Sequence, residues 1–203
     1  MKSIIPSFED AVSFHGHSCP GLAYGYQAAV CALNTLFSDR AEDEEIVAIV
    51  ENDACGVDAI QVVTGCTIGK GNLIYKDLGK NAWSFILRDN SKAIRIVTKP
   101  DEGMAGDPEI ATIRQKVFSG QATPDEDKKF HQMMEKQTLD ILTKKPDELF
   151  TIQEINPDIP EKARIFESIA CSGCGEMTAE HRIRIFNGKP VCLTCNQEYG
   201  RGW

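Results

Sequence analysis

The chain has 203 residues and a pI near 5.1, enough for one domain or one domain with a small appendage and too short for a large multidomain assembly. Hydrophobic residues make up 42% and charged residues 26%, which supplies a buried core and excludes a disordered chain. Lys and Arg number 22 against 30 Asp and Glu, a formal charge of −8. This excludes bulk electrostatic binding to nucleic acid or anionic lipid and leaves room only for a local basic patch.

The opening segment, Met1 to Asp10, reaches Pro6 and then Glu9 and Asp10 before a long apolar run can form, so no secretion signal is expected. No uninterrupted apolar stretch reaches the roughly 18 residues of a spanning helix. The expectation is a soluble, cytoplasmic protein with no membrane partner. Eight cysteines in such a setting point to metal binding or thiol chemistry rather than to a disulfide framework.

Phe14-His15-Gly16-His17-Ser18-Cys19-Pro20-Gly21 sets three metal-ligating side chains within five residues, just before a helix. In an extended segment His15, His17 and Cys19 share one face, because side chains alternate with period two. Apolar residues at Leu22, Tyr26, Ala29, Val30, Leu33, Leu36 and Phe37 then repeat at three-and-four spacing, which predicts an amphipathic helix from Pro20 to Phe37. Cys19 falls at its N-cap, where free amides and the helix dipole stabilise a thiolate. Cys31 lies beside the apolar stripe and is assigned no chemistry.

Glu45 to Glu51 is a β-branched run of buried-strand type; the loop Asn52-Asp53-Ala54-Cys55-Gly56 and a helical segment over Val57 to Val63 follow. Cys55, at the start of that helix, should share the lowered pKa of Cys19. Two imidazoles and two thiols at helix starts can hold zinc with two or three protein ligands and leave a position for water or substrate. An unmetallated cluster with one reactive cysteine is the alternative. Cys66, in Gly65-Cys66-Thr67-Ile68-Gly69-Lys70-Gly71, either completes the site or packs nearby. The glycine-rich stretch is no phosphate loop: its glycines are too close together and Gly71 stands where the magnesium-binding hydroxyl should be. Lys70 reads as a solvated loop lysine. No dinucleotide fingerprint, serine elbow or zinc-protease helix motif is present.

Ala82 to Arg88 and Ala93 to Thr98 flank Asp89-Asn90-Ser91-Lys92 as an antiparallel hairpin, so the sheet is expected to be mixed. From Asp107 to about Lys145 the pattern is helical with a break near Gly120. The second helix there starts at Thr123-Pro124-Asp125-Glu126, a capping box with proline at the first position. Phe130, Met133, Met134, Ile141 and Leu142 form its apolar stripe, read as core packing. Leu149 to Ile155 predicts a closing strand, and Asn156 to Pro160 a linker. Domain boundaries are therefore expected at 1–160 and 161–203. His131 is expected at the surface.

Cys171-Ser172-Gly173-Cys174 and Cys192-Leu193-Thr194-Cys195 are two C-x2-C knuckles around a hairpin-sized insert. Four thiolates from two tight turns make a closed tetrahedral shell, the usual structural zinc site, although spacing alone does not exclude iron. A unit this small has too little core to fold alone, so metal should contribute on the order of 10 kcal/mol to its folding. Arg182, Arg184, Lys189 and Arg201, with Phe186, Tyr199 and Trp203 nearby, form a local basic set. On an acidic chain this favours a structural or protein-contact finger over nucleic-acid binding. His181 is read as a surface residue, because four cysteines already fill the shell.

Three motifs in order, Phe14 to Tyr26, Asn52 to Gln61 and Gly65 to Leu73, followed by Gly79-Lys80-Asn81-Ala82 and the four-cysteine finger, resemble the FmdE family of formylmethanofuran dehydrogenase subunits. The resemblance implies an α+β domain with a mixed β-sheet flanked by helices, a treble-clef-type zinc finger, and a homodimer that can join the other subunits of a larger enzyme complex. It also implies an active site at the His/Cys cluster holding a second transition metal, zinc before others. Carried over by position, His17 and Cys55 lead as ligands, with His15 and Cys19 next. Cys19 is also the candidate catalytic thiolate. The family's redox chemistry resides on other subunits, so this chain is expected to be oxidoreductase-associated, or else a metal carrier or protein-binding adapter without turnover.

Overall fold

The computed structural model of the chain describes residues 5–100 and 108–197. Arg201, Tyr199, Trp203 and Asp107 lie outside the described residues. The chain divides into two compact units, Met1–Lys162 and Ala163–Trp203.

In the first unit the helices, among the described residues, are α1 (Phe8–His15), α2 (Pro20–Leu36), α3 (Gly56–Thr64), α4 (Pro108–Phe118), α5 (Pro124–Thr143) and the one-turn α6 (Pro146–Leu149). The strands are β1 (Ile46–Val50), β2 (Leu73–Tyr75), β3 (Ala82–Leu87), β4 (Ala93–Thr98) and β5 (Phe150–Glu154). Among the described residues these strands form one sheet in the order β2-β1-β3-β4-β5. Only β1 and β2 run parallel; β1–β3, β3–β4 and β4–β5 are antiparallel. The unit is thus α+β with a mixed sheet, as expected. β2 is too short to show a period in the sequence; it forms because the turn before it delivers Leu73 to Ala48.

Local signals account for most helix ends. The Thr123–Glu126 capping box and Pro124 open α5, and Ser7 with Asp10 makes the same reciprocal pair at the start of α1. Gln27 of α2 donates its side-chain amide to the carbonyls of Ile141 and Leu142, both at 2.9 Å, covering bare oxygens in the last turn of α5. One departure from the sequence reading matters for function. His15 to Cys19 is not one extended run: residues 8–15 are helical, so His15 ends a helix, and Gly16 reverses the chain at φ 97°.

One sheet face, with Ala48, Phe85, Ile94 and Ile96, packs under the helices in the main core with Leu33 and Ile141. The other carries a smaller cluster of Val47, Ile86 and Ala93, against which Ile49, Ile74 and Ile155 pack. The chain after β5 is held by Arg88, whose guanidinium donates to the carbonyls of Pro160 and Glu161 and pairs with Glu44.

The tightest feature of the packing is the crossing of α2 and α3. A Cβ on Gly25 would overlap the Gly56 carbonyl oxygen and Cα, and one on Gly56 would sit 3.0 Å from the Gly21 carbonyl oxygen. Only glycine lets two backbones approach this closely. The crossing brings the N-terminal ends of both helices together.

The loop from β1 to α3 is fastened to the sheet. The Asn52 side chain accepts from the Ala54 N–H at 3.2 Å and donates to the Lys80 carbonyl at 2.8 Å and to Asn81 Oδ1 at 3.0 Å. Just before it, Glu51 takes two hydrogen bonds of 2.8 Å from Arg95 on β4. That pairing holds the Glu51 carboxyl below its ordinary value of about 4.5, against the effect of burial.

Three variants test this packing. Gly25→Ala should cost at least about 2 kcal/mol in urea unfolding followed by circular dichroism, since the Cβ meets backbone that cannot yield. Gly69→Ala, with nothing within 4 Å of its Cβ, should be close to neutral. Because the Glu51 pKa is depressed in the folded state, its stabilising contribution is complete above about pH 4.5 and is lost as pH falls through the folded-state value. Glu51→Gln should therefore be less stable at pH 7 by about 2 kcal/mol and lose less stability than the parent on acidification below pH 4.5.

Candidate metal centres

At the paired ends of α2 and α3, Cys19 and Cys55 are the two N-cap residues. Cys19 is extended, at φ −153° and ψ 161°, and its Sγ accepts the Leu22 N–H at 3.4 Å. Cys55 is already helical, at φ −47° and ψ −33°, and makes no capping bond. A small cluster of Ala11, Leu22 and Ala59 seats α1 against both helices. Phe8 also packs edge-on against Tyr26, and the Tyr26 hydroxyl donates to the Pro6 carbonyl at 3.2 Å. The end of α1 thereby brings His15 to the two cysteines. One ring nitrogen of His15 and the Sγ atoms of Cys19 and Cys55 all lie within 4.8 Å of one another.

The imidazole of His15 is oriented from behind. Nδ1 lies 2.7 Å from Asp58 Oδ2, and Gln61 donates to the other Asp58 oxygen at 3.3 Å. A carboxylate can only accept, so in the neutral ring the proton sits on Nδ1 and the lone pair on Nε2. Nε2 is buried and has no hydrogen-bond partner among the described residues. A lone imidazole nitrogen and two thiols fit a soft cation, and the carboxylate behind the ring is the usual support for a ligating histidine.

The Cys55 thiol departs from the sequence reading. Burial pushes its pKa up, and the neighbouring Cys19 adds to this through charge and hydrogen bonding. Desolvation and a second sulfur outweigh the helix start at this position.

His17, Cys66 and Cys31 do not join the three converging donors. The His17 ring is 4.5 Å from that of His15 and tilted by 40°, but His17 is not in the converging set. Cys66 follows the far end of α3; it is fully buried, lies 3.4 Å from the Ile46 carbonyl oxygen, and burial pushes its thiol up to about 11. Cys31 is buried beside Thr35, with its pKa raised by desolvation. Lys70 donates to the Glu42 carbonyl at 3.2 Å, and the buried Asn72 holds the glycine-rich loop through the Thr67 N–H and the Asp43 and Ile46 carbonyls. Asp58 is the residue that sequence reasoning passed over. Cys55-x2-Asp58-x2-Gln61 places all three along one helix face, and that spacing was the available signal.

In the second unit β6 (Ser168–Ala170) pairs with β7 (Met177–Ala179), and β8 (Arg184–Phe186) with β9 (Lys189–Val191). The two knuckles bring Cys171, Cys174, Cys192 and Cys195 within 4.8 Å of one another. The N–H groups of Gly173 and Cys192 donate to Cys171 Sγ at 3.3 and 3.2 Å. Amide donors, those of Cys174 and Cys192 foremost, bring the Cys171 thiol down to about 6. The three other sulfurs, Cys192 first, push Cys195 up to about 12. Such crowding of ionisable sulfur suits a divalent cation in a closed shell. His181 is exposed and lies against the Phe166 ring, centroids 4.0 Å apart.

Comparison with known proteins agrees with both units. Residues 14–151 match the family described as "FmdE, Molybdenum formylmethanofuran dehydrogenase operon". Residues 164–200 match the prokaryotic dksA/traR C4-type zinc finger, which supports zinc as the structural ion of the four cysteines. A protein of Archaeoglobus fulgidus named "Probable S-adenosyl-L-methionine-binding protein" is 33% identical over 201 residues, 95% of this chain. The chain spans only 54% of that relative's length. The crystal structure of a tungsten formylmethanofuran dehydrogenase FmdE-like protein from Syntrophus aciditrophicus shares the fold, with a TM-score of 0.56, 21% identity and 96% of each chain covered. Among the described residues no helix is long and apolar enough to cross a membrane. The chain belongs to the FmdE family and carries a C4-type zinc finger at its C-terminal end.

Proposed function

We propose that this protein binds a second transition metal, zinc before others, through His15, Cys19 and Cys55, and that this centre is its functional site. The reading rests on one observation: three soft donors from separate elements converge within 4.8 Å while the buried Nε2 of His15 has no other partner among the described residues. A metal held there would polarise a carbonyl or activate water at its remaining position.

The chain's own contributions are specific. Asp58 accepts from Nδ1 and fixes the ring, leaving Nε2 as the atom to bind the metal. The Gly21, Gly25 and Gly56 contact keeps the two cysteines adjacent, and Asn52 holds the loop that carries Cys55. Cys19, with the Leu22 N–H on its sulfur, serves either as a ligand or as the thiolate that attacks an electrophile. The proposal includes a cytoplasmic homodimer associated with an oxidoreductase complex of the formylmethanofuran dehydrogenase type, with no membrane or nucleic-acid partner.

A carrier or adapter without turnover is the second reading, favoured by the partial exposure of Cys19 and Cys55. Three half-buried donors release an ion more readily than a closed shell of four. Turnover of a formyl or thioester substrate separates the enzyme from the carrier.

Metal analysis of protein purified without chelator tests the centre. His15→Ala with Cys55→Ala should lose about one metal per chain and keep the zinc of the finger, whereas His17→Ala should keep both. Unchanged metal content in the double variant would remove the N-terminal centre. Asp58→Asn, which leaves the ring in place but weakens its orientation, should lower affinity for that metal about 10-fold to 100-fold, measured by competition with a chromophoric chelator.

A further inference from the structure

We infer that the cavity between α2, β4 and the α4–α5 pair is a binding site for a small organic anion with an apolar body. The cavity has a volume of about 610 Å³, within the range of small-molecule sites. Its walls are aromatic: Tyr24 from α2, Phe130 from α5, and Phe118 from the end of α4, whose ring meets Phe130 edge-on at 6.0 Å. Phe118 is 77% exposed, a large apolar surface that a ligand lying on Phe130 would cover.

The charged groups of the lining share one sign. Lys99 and Arg114 both line the cavity, and no Asp or Glu does among the described residues, on a chain with a formal charge of −8. Lys99 donates to the Asp147 carbonyl at 2.5 Å, which uses one of its three ammonium hydrogens. Thr98 is also a lining residue, but its Oγ1 is buried away from the surface, so the two cations carry the recognition. Two cations beside aromatic rings, with no acid among the described lining residues, are the pattern expected where a carboxylate, sulfonate or phosphate on an apolar body binds.

The cavity also adjoins the candidate metal centre through covalent and hydrogen-bonded neighbours. Pro20, another lining residue, follows Cys19 directly. Asn81, in the same lining, accepts from Asn52, which in turn holds the Ala54 N–H beside Cys55. The anion site goes beyond the metal-binding reading and does not depend on a metal at His15.

The test uses the full chain and two fluorescent probes of like shape, anilinonaphthalene sulfonate and the neutral phenylnaphthylamine. The sulfonate should saturate at one per chain and bind more tightly than the neutral probe. Lys99→Gln combined with Arg114→Gln should weaken the sulfonate about tenfold or more while changing the neutral probe less than about twofold. Circular dichroism should show both side chains removed without loss of fold. S-adenosyl-L-methionine, with its net positive charge, should not displace it. Equal affinity for the two probes, a double variant that binds the sulfonate like the parent, absence of saturable binding, or displacement by S-adenosyl-L-methionine would each overturn the proposal.

Discussion

The contact of Gly21 and Gly25 with Gly56 is the constraint on which the N-terminal site depends. Side chains normally keep helix axes 8–10 Å apart; without Cβ atoms the backbones of α2 and α3 touch. Two helices that cross near their first turns present two N-caps to the same small volume, and both N-caps here are cysteine. The end of α1 can then add one imidazole, because the cluster of Ala11, Leu22 and Ala59 seats it against the pair. A Cβ at Gly25 would meet the Gly56 backbone at 2.1 Å and force the two helix starts apart.

The sheet holds this arrangement from the other side. Glu51 and Asn52 are consecutive residues leaving β1, and each is tied elsewhere: Glu51 to Arg95 across β3, and Asn52 to the segment that opens β3. The path from strand to Cys55 is therefore short and fixed at both ends. Groups that must hold a ligand geometry to fractions of an ångström are best mounted on such rigid elements.

The two cysteine centres show how much the same side chain changes with its neighbours. In the finger, amide donors reach Cys171 and bring its thiol down to about 6, while the surrounding sulfurs push Cys195 up to about 12. Around Cys55 burial and the Cys19 sulfur act in the same upward direction, and one imidazole replaces two thiols. A closed shell of four suits an ion that shapes a small unit; three donors with a carboxylate behind the imidazole suit an ion that meets something else.

Features settled within a few residues were legible in the chain alone. Pro20 after Cys19, the Thr123–Glu126 box, the β-branched run before Glu51 and the paired C-x2-C knuckles all act through local backbone geometry, and each appears where it was expected. The α1 helix was not, because the alternation of ligating residues from Phe14 to Gly21 mimics a strand and masks the Ser7–Asp10 box upstream. Which donors meet was settled only by the folded chain. His15 and not His17 joins the cysteines, Asp58 stands behind it, Cys55 is included and Cys66 lies at the far end of the same helix. No periodicity records these choices, because they follow from how closely two distant backbones approach, a property of the pair of helices and of neither one alone.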